Sequence, residues 1–271
     1  MNHDYQGNVA RFAGLADLYD RFRPRPPEAL AGLLARYAGV NPPALVVDLG
    51  SGTGLSTRYW ANSAVRVIGI EPNPEMRELA HALTTEPNVS FREGFAYDTG
   101  LLDGCADVAV CMQSLHWMEP ETTFREISRL LRPGGVFAAC DYDWPPSVGS
   151  AEVEAAYEAC ESEARRFEDK LGLVARIRRW NKSRHLPRME RSGFFSYARD
   201  LVLAHIDHGN AERLVGVLLS QGFVHQVQLR GISEADLGIE ALRRTTDAIL
   251  GSTLKPWHWS ARVRLGVKGN G

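Results

Sequence analysis

Between Ala44 and Asp143, five short apolar runs alternate with amphipathic stretches. This alternation is typical of βαβ units built around a parallel sheet that is buried on both faces. It predicts strands at Ala44–Leu49, Arg66–Ile70, Val89–Glu93, Asp107–Met112 and Val136–Cys140. It predicts the intervening helices at Gly54–Asn62, Pro74–Leu83 and Pro120–Leu131. The last helix has a proline in its first turn and is followed by Arg132-Pro133-Gly134-Gly135, which marks its end.

Other segments extend this pattern on both sides. A helix is predicted at Pro27–Ala38, and the proline-rich lead-in Tyr19–Pro27 is predicted to be extended and outside any helix. Two further strands are expected at Tyr197–Ile206 and Trp257–Val267, the second from its alternating apolar residues.

The whole chain is therefore predicted to form one α/β domain with a seven-stranded sheet. Its core would span about 27–143, 192–208 and 256–268. Two helical inserts, about 145–191 and 210–252, would form a lid that shapes the substrate pocket. The first insert is predicted to be helical from about Ala151 to Arg191, and the second to be interrupted near Gly222 and Gly231.

A glycine-rich turn follows the first strand, where Asp48 begins the pattern D-x-G-x-G-x-G through Gly50, Gly52 and Gly54. Glycines permit a sharp strand-to-helix turn and a close approach of ligand to backbone, and the helix N-terminus offers N–H groups to the same crevice. The dinucleotide fingerprint G-x-G-x-x-G is not met in this turn. Asp48 also suits a cationic amino group better than a pyrophosphate. A nucleotide-like ligand is predicted here.

The second strand ends at Glu71, 21 residues beyond Gly50. A carboxylate at this position can accept hydrogen bonds from both hydroxyls of a ribose. Glu71 is therefore predicted to bind the sugar of the ligand.

Further motifs follow in order along the chain. They are Gly69-Ile70-Glu71-Pro72-Asn73-Pro74-Glu75-Met76, Gly94-Phe95-Ala96, Asp107-Val108-Ala109-Val110, Gln113-Ser114-Leu115-His116-Trp117 and Leu130-Leu131-Arg132-Pro133-Gly134-Gly135. Together with the glycine turn, this ordered set resembles the class I S-adenosylmethionine-dependent methyltransferases. The lead-in Tyr19-Asp20-x-x-Arg23-Pro24 and the Leu-His-Trp sequence are similar to the branch that contains trans-aconitate and ubiquinone/menaquinone-type methyltransferases. The resemblance is close over Tyr19–Asp143 and does not include the two inserts.

The resemblance implies a Rossmann-like, doubly wound, mostly parallel sheet with an antiparallel last strand, and S-adenosyl-L-methionine as cofactor. Asp48 and the loop through Gly50, Gly52, Thr53 and Gly54 would meet its methionine part, and Glu71 would hold the ribose. Pro72 and Met76 would pack near the adenine, Phe95 and Ala96 would border it, and Gln113 would lie under the methionine end. Tyr19 would be a lid residue over the cofactor. Many relatives have an acid next to Phe95, but here the nearest is Asp98, so backbone would replace that contact.

Two residues are candidates for direct roles in catalysis, His116 and Tyr19. His116 follows the fourth strand, on the side of the sheet where ligands bind, and could be a general base or a hydrogen-bonded wall residue. Tyr19 could equally belong to an ordinary N-terminal helix. Trp117 is expected to serve packing, while Asp141 and Tyr142 either face substrate or end the fifth strand.

The charge of the chain is unevenly distributed. The formal net charge is −2, but Arg165–Arg191 contains ten basic and three acidic residues. This local charge of +7 leaves −9 for the remainder, because −2 − 7 = −9. The basic segment either favours an anionic substrate or is a solvated helical face.

The remaining features narrow the class of protein. Four cysteines show no spacing typical of zinc sites or a disulfide framework, so no metal is expected and a reducing, cytoplasmic location is predicted. No apolar run is long enough to span a bilayer, so no membrane partner is expected. The sequence does not determine an oligomeric state.

The function predicted from these observations is S-adenosylmethionine-dependent methyl transfer to a small molecule by in-line displacement. One alternative is RNA methylation through the segment 165–191. The near-neutral charge and the absence of an N/D-P-P-Y/F tetrapeptide after the fourth strand disfavour it, so nucleic acid is not the expected partner. A second alternative is a cofactor-binding protein without methyl transfer.

Overall fold

A seven-stranded sheet organises the computed structural model, which describes residues 5–269. Its strands are β1 (Leu45–Leu49), β2 (Arg66–Ile70), β3 (Val89–Arg92), β4 (Ala106–Met112), β5 (Leu131–Tyr142), β6 (Phe195–Gly209) and β7 (Lys255–Lys268). They lie in the order β3-β2-β1-β4-β5-β7-β6. Strands β1 to β5 pair in parallel and β7 pairs antiparallel with β5, which confirms the predicted Rossmann-like sheet.

The direction of the strand order reverses between β1 and β4. These neighbours pair in parallel, with Val47 opposite Ala109, while β2 lies on the other side of β1 with Ile68 opposite Val47. Loops that leave β1 and β4 at their carboxyl ends must diverge to opposite faces of the sheet, which opens a crevice between them. The glycine turn and the Gln113–Trp117 segment therefore share one edge of the sheet.

Eleven helices are described within residues 5–269. They are α1 (Gln6–Ala10), α2 (Ala16–Phe22), α3 (Ala29–Tyr37), α4 (Leu55–Tyr59), α5 (Pro74–Leu83), α6 (Pro120–Leu130), α7 (Ala151–Lys170), α8 (His185–Arg191), α9 (Ala211–Leu219), α10 (Gly222–Gln228) and α11 (Ile239–Ile249). Short 3₁₀ turns lie at Leu115–Trp117, Leu173–Arg176 and Lys182–Arg184. None of the described helices is both long and apolar enough to cross a membrane.

Helices α5 and α6 begin at the predicted residues, whereas α3 and α4 begin one or two residues later than predicted. Asn73 caps α5 by accepting the N–H of Met76 at 3.2 Å, and Glu119 caps α6 by accepting the N–H of Thr122 at 2.7 Å. A proline occupies the first turn of each of these helices, where its missing N–H costs no hydrogen bond. Apolar side chains of α6, such as Phe124 and Ile127, pack into the buried core against the sheet.

The chain divides into two compact units. The sheet unit contains residues 25–142, 179–203 and 261–269, and the helical unit contains residues 5–24, 143–178 and 204–260. The division falls inside the first predicted insert, between residues 178 and 179. The role of the inserts as a lid stays a prediction.

The helical unit has its own buried core. Helix α7 packs against α10 and α11, and α9 packs against α2 and α11. Tyr157 of α7 is fully buried. A buried ion pair joins Arg11 to Glu168 at 2.5 Å. Because an uncompensated buried charge is costly, loss of either partner would destabilise this unit.

The prediction for the lead-in was partly wrong. Tyr19 through Phe22 are helical, as the last residues of α2, rather than extended. Arg23, directly before Pro24, is extended, with φ −67° and ψ 147°, and residues 24–27 lie outside any helix, as predicted. Proline restricts the residue that precedes it and not those farther back, so the helix can run to Phe22.

The first insert is less helical than predicted between Ala151 and Arg191. Helix α7 ends at Lys170, and Gly172 follows with a positive φ of 66°, a conformation that ends helices. Two 3₁₀ turns then separate α7 from α8. The second insert breaks near Gly222 and Gly231, as predicted.

Two helical glycines make a matched test of the packing in this fold. A Cβ at Gly216 in α9 would lie 2.4 Å from Cγ of Phe22, whereas a Cβ at Gly32 in α3 would meet nothing within 4 Å. We expect Gly216→Ala to lower the free energy of unfolding by about 1–3 kcal/mol through overpacking. Gly32→Ala should raise it by about 0.5–1 kcal/mol through helix propensity. Urea unfolding followed by circular dichroism measures both, and equal effects of the two variants would contradict the assigned close contact.

Candidate functional site

The glycine turn between β1 and α4 contains three glycines with positive φ, and their surroundings differ. Gly50, Gly52 and Gly54 have φ values of 66°, 54° and 81°. A Cβ at Gly50 would lie 2.8 Å from the side chains of Ser114 and Met118, and one at Gly54 would lie 2.6 Å from the ring of Phe91. These two glycines are therefore required by packing as well as by backbone conformation.

Gly52 differs from these two glycines in its surroundings. A Cβ built on it meets no atom within 4 Å, so the space in front of this residue is open. Polar atoms without a hydrogen-bond partner among the described residues occur in the same turn, namely Ser51 Oγ and Thr53 Oγ1, together with Asp48 Oδ1 at the end of β1. Buried polar groups are normally satisfied, so their concentration here fits a turn shaped for a polar ligand.

Glu71 at the end of β2 joins the glycine turn to the next loop. Its Oε2 accepts the N–H of Gly52 at 2.8 Å, and its Oε1 accepts the N–H of Asn73 at 2.8 Å. Burial raises the pKa of Glu71, while these two amides and the charge of Arg77 oppose the rise. Each carboxylate oxygen keeps further acceptor capacity, so Glu71 can hold the loop and accept ligand hydroxyls together.

Asp48 is a buried carboxylate with little compensation. Its Oδ2 accepts a hydrogen bond from the hydroxyl of Thr57 at 2.8 Å. Burial raises the pKa of Asp48 to about 7, against the lowering effect of this hydrogen bond. A ligand cation that met the unpartnered Oδ1 would favour the ionised form, because an opposite charge lowers the pKa of an acid.

The residues predicted to border an adenine lie after β2 and β3. Met76 is buried in α5, and Ala96 is buried in the loop that follows β3. Phe95 stacks on Tyr97 with a centroid distance of 5.2 Å and an interplanar angle of 15°. The Asp98 side chain is exposed, and its N–H donates to the carbonyl of Phe95. Sequence reasoning missed Tyr97, an exposed aromatic residue with no motif to mark it.

Gln113, directly after β4, has a φ of 55°, a conformation rare outside glycine. Its Oε1 accepts a hydrogen bond from Nζ of Lys182 at 2.9 Å, and its Nε2 has no partner among residues 5–269. Strained backbone of this kind persists where the surroundings enforce it, often at ligand sites.

A cluster of charges surrounds Asp141 at the end of β5. Lys182 Nζ lies 2.7 Å from Asp141 Oδ1, and Arg264 Nη1 lies 2.8 Å from Oδ2. The Nδ1 atom of His116 lies 3.8 Å from Oδ1, beyond hydrogen-bond distance. Sequence reasoning singled out His116 and Asp141 but assigned no site role to Lys182 or Arg264. Their separation along the chain hid them, since only the fold brings them to β5.

His116 is buried, and its carbonyl accepts the N–H of Trp180 at 2.7 Å. This bond ties the loop after β4 to the segment before α8. The ring of Trp117 has the Arg179 guanidinium 5.7 Å from its centroid. Within the described residues, no group of three or more His, Cys, Asp or Glu side chains is arranged to hold a metal ion.

Tyr19 and Pro72 complete the set of predicted site residues. Tyr19 belongs to the helical unit, where the Arg23 guanidinium lies 4.9 Å from its ring centroid. Pro72 lies in the short loop between β2 and α5, beside Glu71. The roles of Tyr19, Pro72 and the other predicted site residues toward a cofactor stay predictions.

Replacement of Asp48 tests its buried carboxyl group. The pKa of this acid is about 7 in the folded protein and about 4 in an unfolded chain, so the native state binds the extra proton between these values. The wild type should therefore lose stability relative to Asp48→Asn as the pH rises from about 4 to about 7, by at most roughly 1.4 kcal/mol per pH unit. Unfolding free energies of both proteins across this range measure the effect. A difference that does not vary with pH would contradict it.

The sequence and fold match known methyltransferases. A family model described as a methyltransferase domain matches residues 47–139. An uncharacterized methyltransferase of Mycobacterium tuberculosis is 34% identical over 125 residues, which cover 46% of this chain and 49% of the relative. The malonyl-[acyl-carrier protein] O-methyltransferase of Pectobacterium atrosepticum is 30% identical over 51% of this chain and 53% of the relative. The chain thus spans about half the length of each of these two relatives.

A solved structure extends the match beyond this segment. The structure of a candidate type II methyltransferase from Anaeromyxobacter dehalogenans superposes with a TM-score of 0.65 at 26% identity, covering 91% of this chain and 98% of the other. Its likeness therefore includes most of the sheet and the helices that flank it. Together with the strand order, these matches identify residues 47–139 as a methyltransferase domain.

Proposed function

We propose that this protein transfers a methyl group from S-adenosylmethionine to a small-molecule acceptor. The observation that carries the proposal is the open space in front of Gly52, whose N–H donates to the buried carboxylate of Glu71, together with the buried carboxylate of Asp48 in β1. One carboxylate suits the ribose hydroxyls of the cofactor, and the other suits its ammonium group. The two groups lie at the ends of adjacent strands, at the edge of the sheet where ligands of such folds bind.

Other residues of the sheet unit suit the adenine and the methionine end of the cofactor. Met76, Phe95 and Ala96 offer apolar surface for the adenine, beside Pro72. Gln113 has an unpartnered Nε2 that can donate to the methionine end. The Thr53 hydroxyl and the turn from Gly50 to Gly54 complete the proposed cofactor site. When bound, the cofactor supplies a methyl group on a positively charged sulfur.

In-line displacement at such a methyl group requires little covalent chemistry from the protein. Positive charge disperses as the methyl group moves, so the chain has to align the acceptor and exclude water. A base is needed only if the acceptor carries a proton at attack. His116, buried after β4, is our candidate for that base, and Tyr19 our candidate for a lid over the cofactor.

The basic segment 165–191 bears on the choice of acceptor. The Arg165 guanidinium lies 4.0 Å from the ring centroid of Phe223, and Arg166 pairs with Glu163 at 2.6 Å. Lys182 pairs with Asp141. Arg166 and Lys182 are thus paired with carboxylates of the protein, which makes these two charges less available to the phosphates of an RNA. The relative named malonyl-[acyl-carrier protein] O-methyltransferase has an acceptor with a carboxylate, in keeping with an anionic acceptor for this chain.

A screen of acceptors that detects release of S-adenosylhomocysteine tests the proposal. Turnover of a small organic acid would support it. Turnover of RNA, with retention that weakens steeply as salt rises, would favour the alternative of RNA methylation. Cofactor binding without product from any acceptor would favour a protein that binds the cofactor and does not transfer its methyl group.

Gly52→Val should abolish binding of S-adenosylhomocysteine, because the new side chain fills the open space in the turn. Gly39→Val is the matched control, since Gly39 also has a positive φ, of 65°, and a Cβ there meets nothing within 4 Å. Both variants carry the same kind of backbone strain, so similar melting temperatures are expected. Isothermal titration measures the affinity. Unchanged affinity in Gly52→Val, or equal loss in Gly39→Val, would contradict the site.

Glu71→Ala should weaken binding of S-adenosylhomocysteine by about 10- to 100-fold. The variant loses hydrogen bonds that ligand hydroxyls donate to a charged acceptor, each contributing on the order of 1–3 kcal/mol, and it releases the N–H of Gly52. Glu93→Ala is the control, because Glu93 pairs with Arg77 at 2.9 Å with a side chain that is 76% exposed. Titration of both variants should show a loss only at Glu71. If Glu71→Ala binds like the wild type, the carboxylate does not hold the ribose.

A further inference from the structure

A cavity of about 410 Å³ lies in the sheet unit, where the first turn of α6 faces α8 and its flanking residues. Its apolar walls include Phe124, Phe194 and Trp180, and its cationic walls include Arg188 and Arg191. None of the residues predicted to hold the cofactor lines it. The cavity is therefore separate from the glycine turn and Glu71.

The arginines at this cavity form a cluster of like charge. Arg188 and Arg191 are three positions apart in α8 and so lie on one side of the helix, and Arg184 is the residue that precedes its first turn. Within the part of the chain that the structure describes, no carboxylate lies within 4 Å of these three guanidinium groups. Burial and the charges of Arg184 and Arg191 lower the pKa of Arg188. The cluster is thus an excess of positive charge at the rim of a cavity.

The acidic residues in the same walls are engaged with α6. Glu119 accepts the N–H groups of Glu121 and Thr122, at 3.2 Å and 2.7 Å, and so caps the helix. Glu121 pairs with Arg125, one turn later, at 3.2 Å. Among the described residues neither carboxylate lies within ion-pair distance of Arg188 or Arg191, although the charge of Glu119 acts on Arg188 and raises its pKa.

Trp180 adds an aromatic face to the cavity wall. The Arg188 guanidinium lies 5.0 Å from the Trp180 ring centroid, which aligns the cation with an aromatic face.

We propose that this cavity binds a small organic anion, with its carboxylate or phosphate on Arg188 and Arg191 and its apolar body against Phe124, Phe194 and Trp180. Guanidinium groups suit such oxyanions because their N–H groups match two acceptor oxygens at once. This binding site does not depend on methyl transfer and holds even if the chain has another activity.

Nuclear magnetic resonance of the full chain tests the proposal with phenyl phosphate as the probe. The indole N–H signal of Trp180, one of six tryptophans, is assigned by its loss in Trp180→Phe. We expect phenyl phosphate to shift this signal in a saturable way, and benzyl alcohol, which has no charge, to leave it in place. Benzoate in a parallel titration determines whether carboxylate or phosphate is preferred.

Arg188→Gln should weaken binding of the preferred probe by about tenfold or more, since it removes a charge-assisted contact. Arg166→Gln is the matched control, because Arg166 belongs to the same basic segment but pairs with Glu163 in the helical unit. It should leave the affinity unchanged. Binding of S-adenosylhomocysteine and the melting temperature should be unchanged in both variants.

Three results would overturn the proposal. The Trp180 signal could stay unmoved by both anions, or it could move equally with benzyl alcohol. Alternatively, Arg188→Gln could bind the probe as tightly as the wild type does. Loss of S-adenosylhomocysteine binding in another variant, such as Gly52→Val, concerns the cofactor site and leaves this proposal standing.

Discussion

The hydrogen bond from the Gly52 N–H to Glu71 is the interaction on which the site depends. It joins the loops that leave two adjacent parallel strands, and the same carboxylate also holds the N–H of Asn73 at the start of α5. The N–H groups of Gly50 and Ser51 donate to the carbonyl of Ile70, so the turn is fixed to the end of β2 at several points. The backbone in front of Gly52 is therefore held open before any ligand arrives. A site prepared in this way does not have to lose conformational entropy on binding.

Two buried carboxylates of the sheet unit differ in how far neighbouring cations compensate their negative charge. Asp141 is surrounded by cations, with Lys182 and Arg264 each within 2.8 Å. No cation of the described residues pairs with Asp48, whose Oδ2 accepts the Thr57 hydroxyl, and burial raises its pKa to about 7 against the effect of Thr57 and Ser56. A buried charge that is left without a cation costs stability, and a cationic ligand would recover that cost. The uncompensated group is therefore the one that we assign to a ligand.

The order of the strands and the position of the glycine turn were predictable because both follow from local pattern. Alternating apolar runs give βαβ units, and a conformation with positive φ requires glycine. The sequence could not distinguish Gly52 from Gly50 and Gly54, since only the fold brings Met118 and Phe91 against the other two. It also could not place Lys182 beside Gln113, 69 positions earlier in the chain. The error at Tyr19–Phe22 came from extending a proline restriction beyond the one residue on which it acts.

Formal charge counted along the chain is a poor guide to what a protein can bind, and the segment 165–191 shows why. Arg165 and Arg166 belong to the helical unit, where an aromatic ring and a carboxylate engage them. Arg184, Arg188 and Arg191 belong to the sheet unit, and there no carboxylate of the described residues is within ion-pair distance. A charge that is already paired adds little to ligand affinity, whereas unpaired charges held close together by one helix repel each other. An anion that binds at these arginines relieves their repulsion and gains affinity there, whereas the rest of the segment offers no such gain.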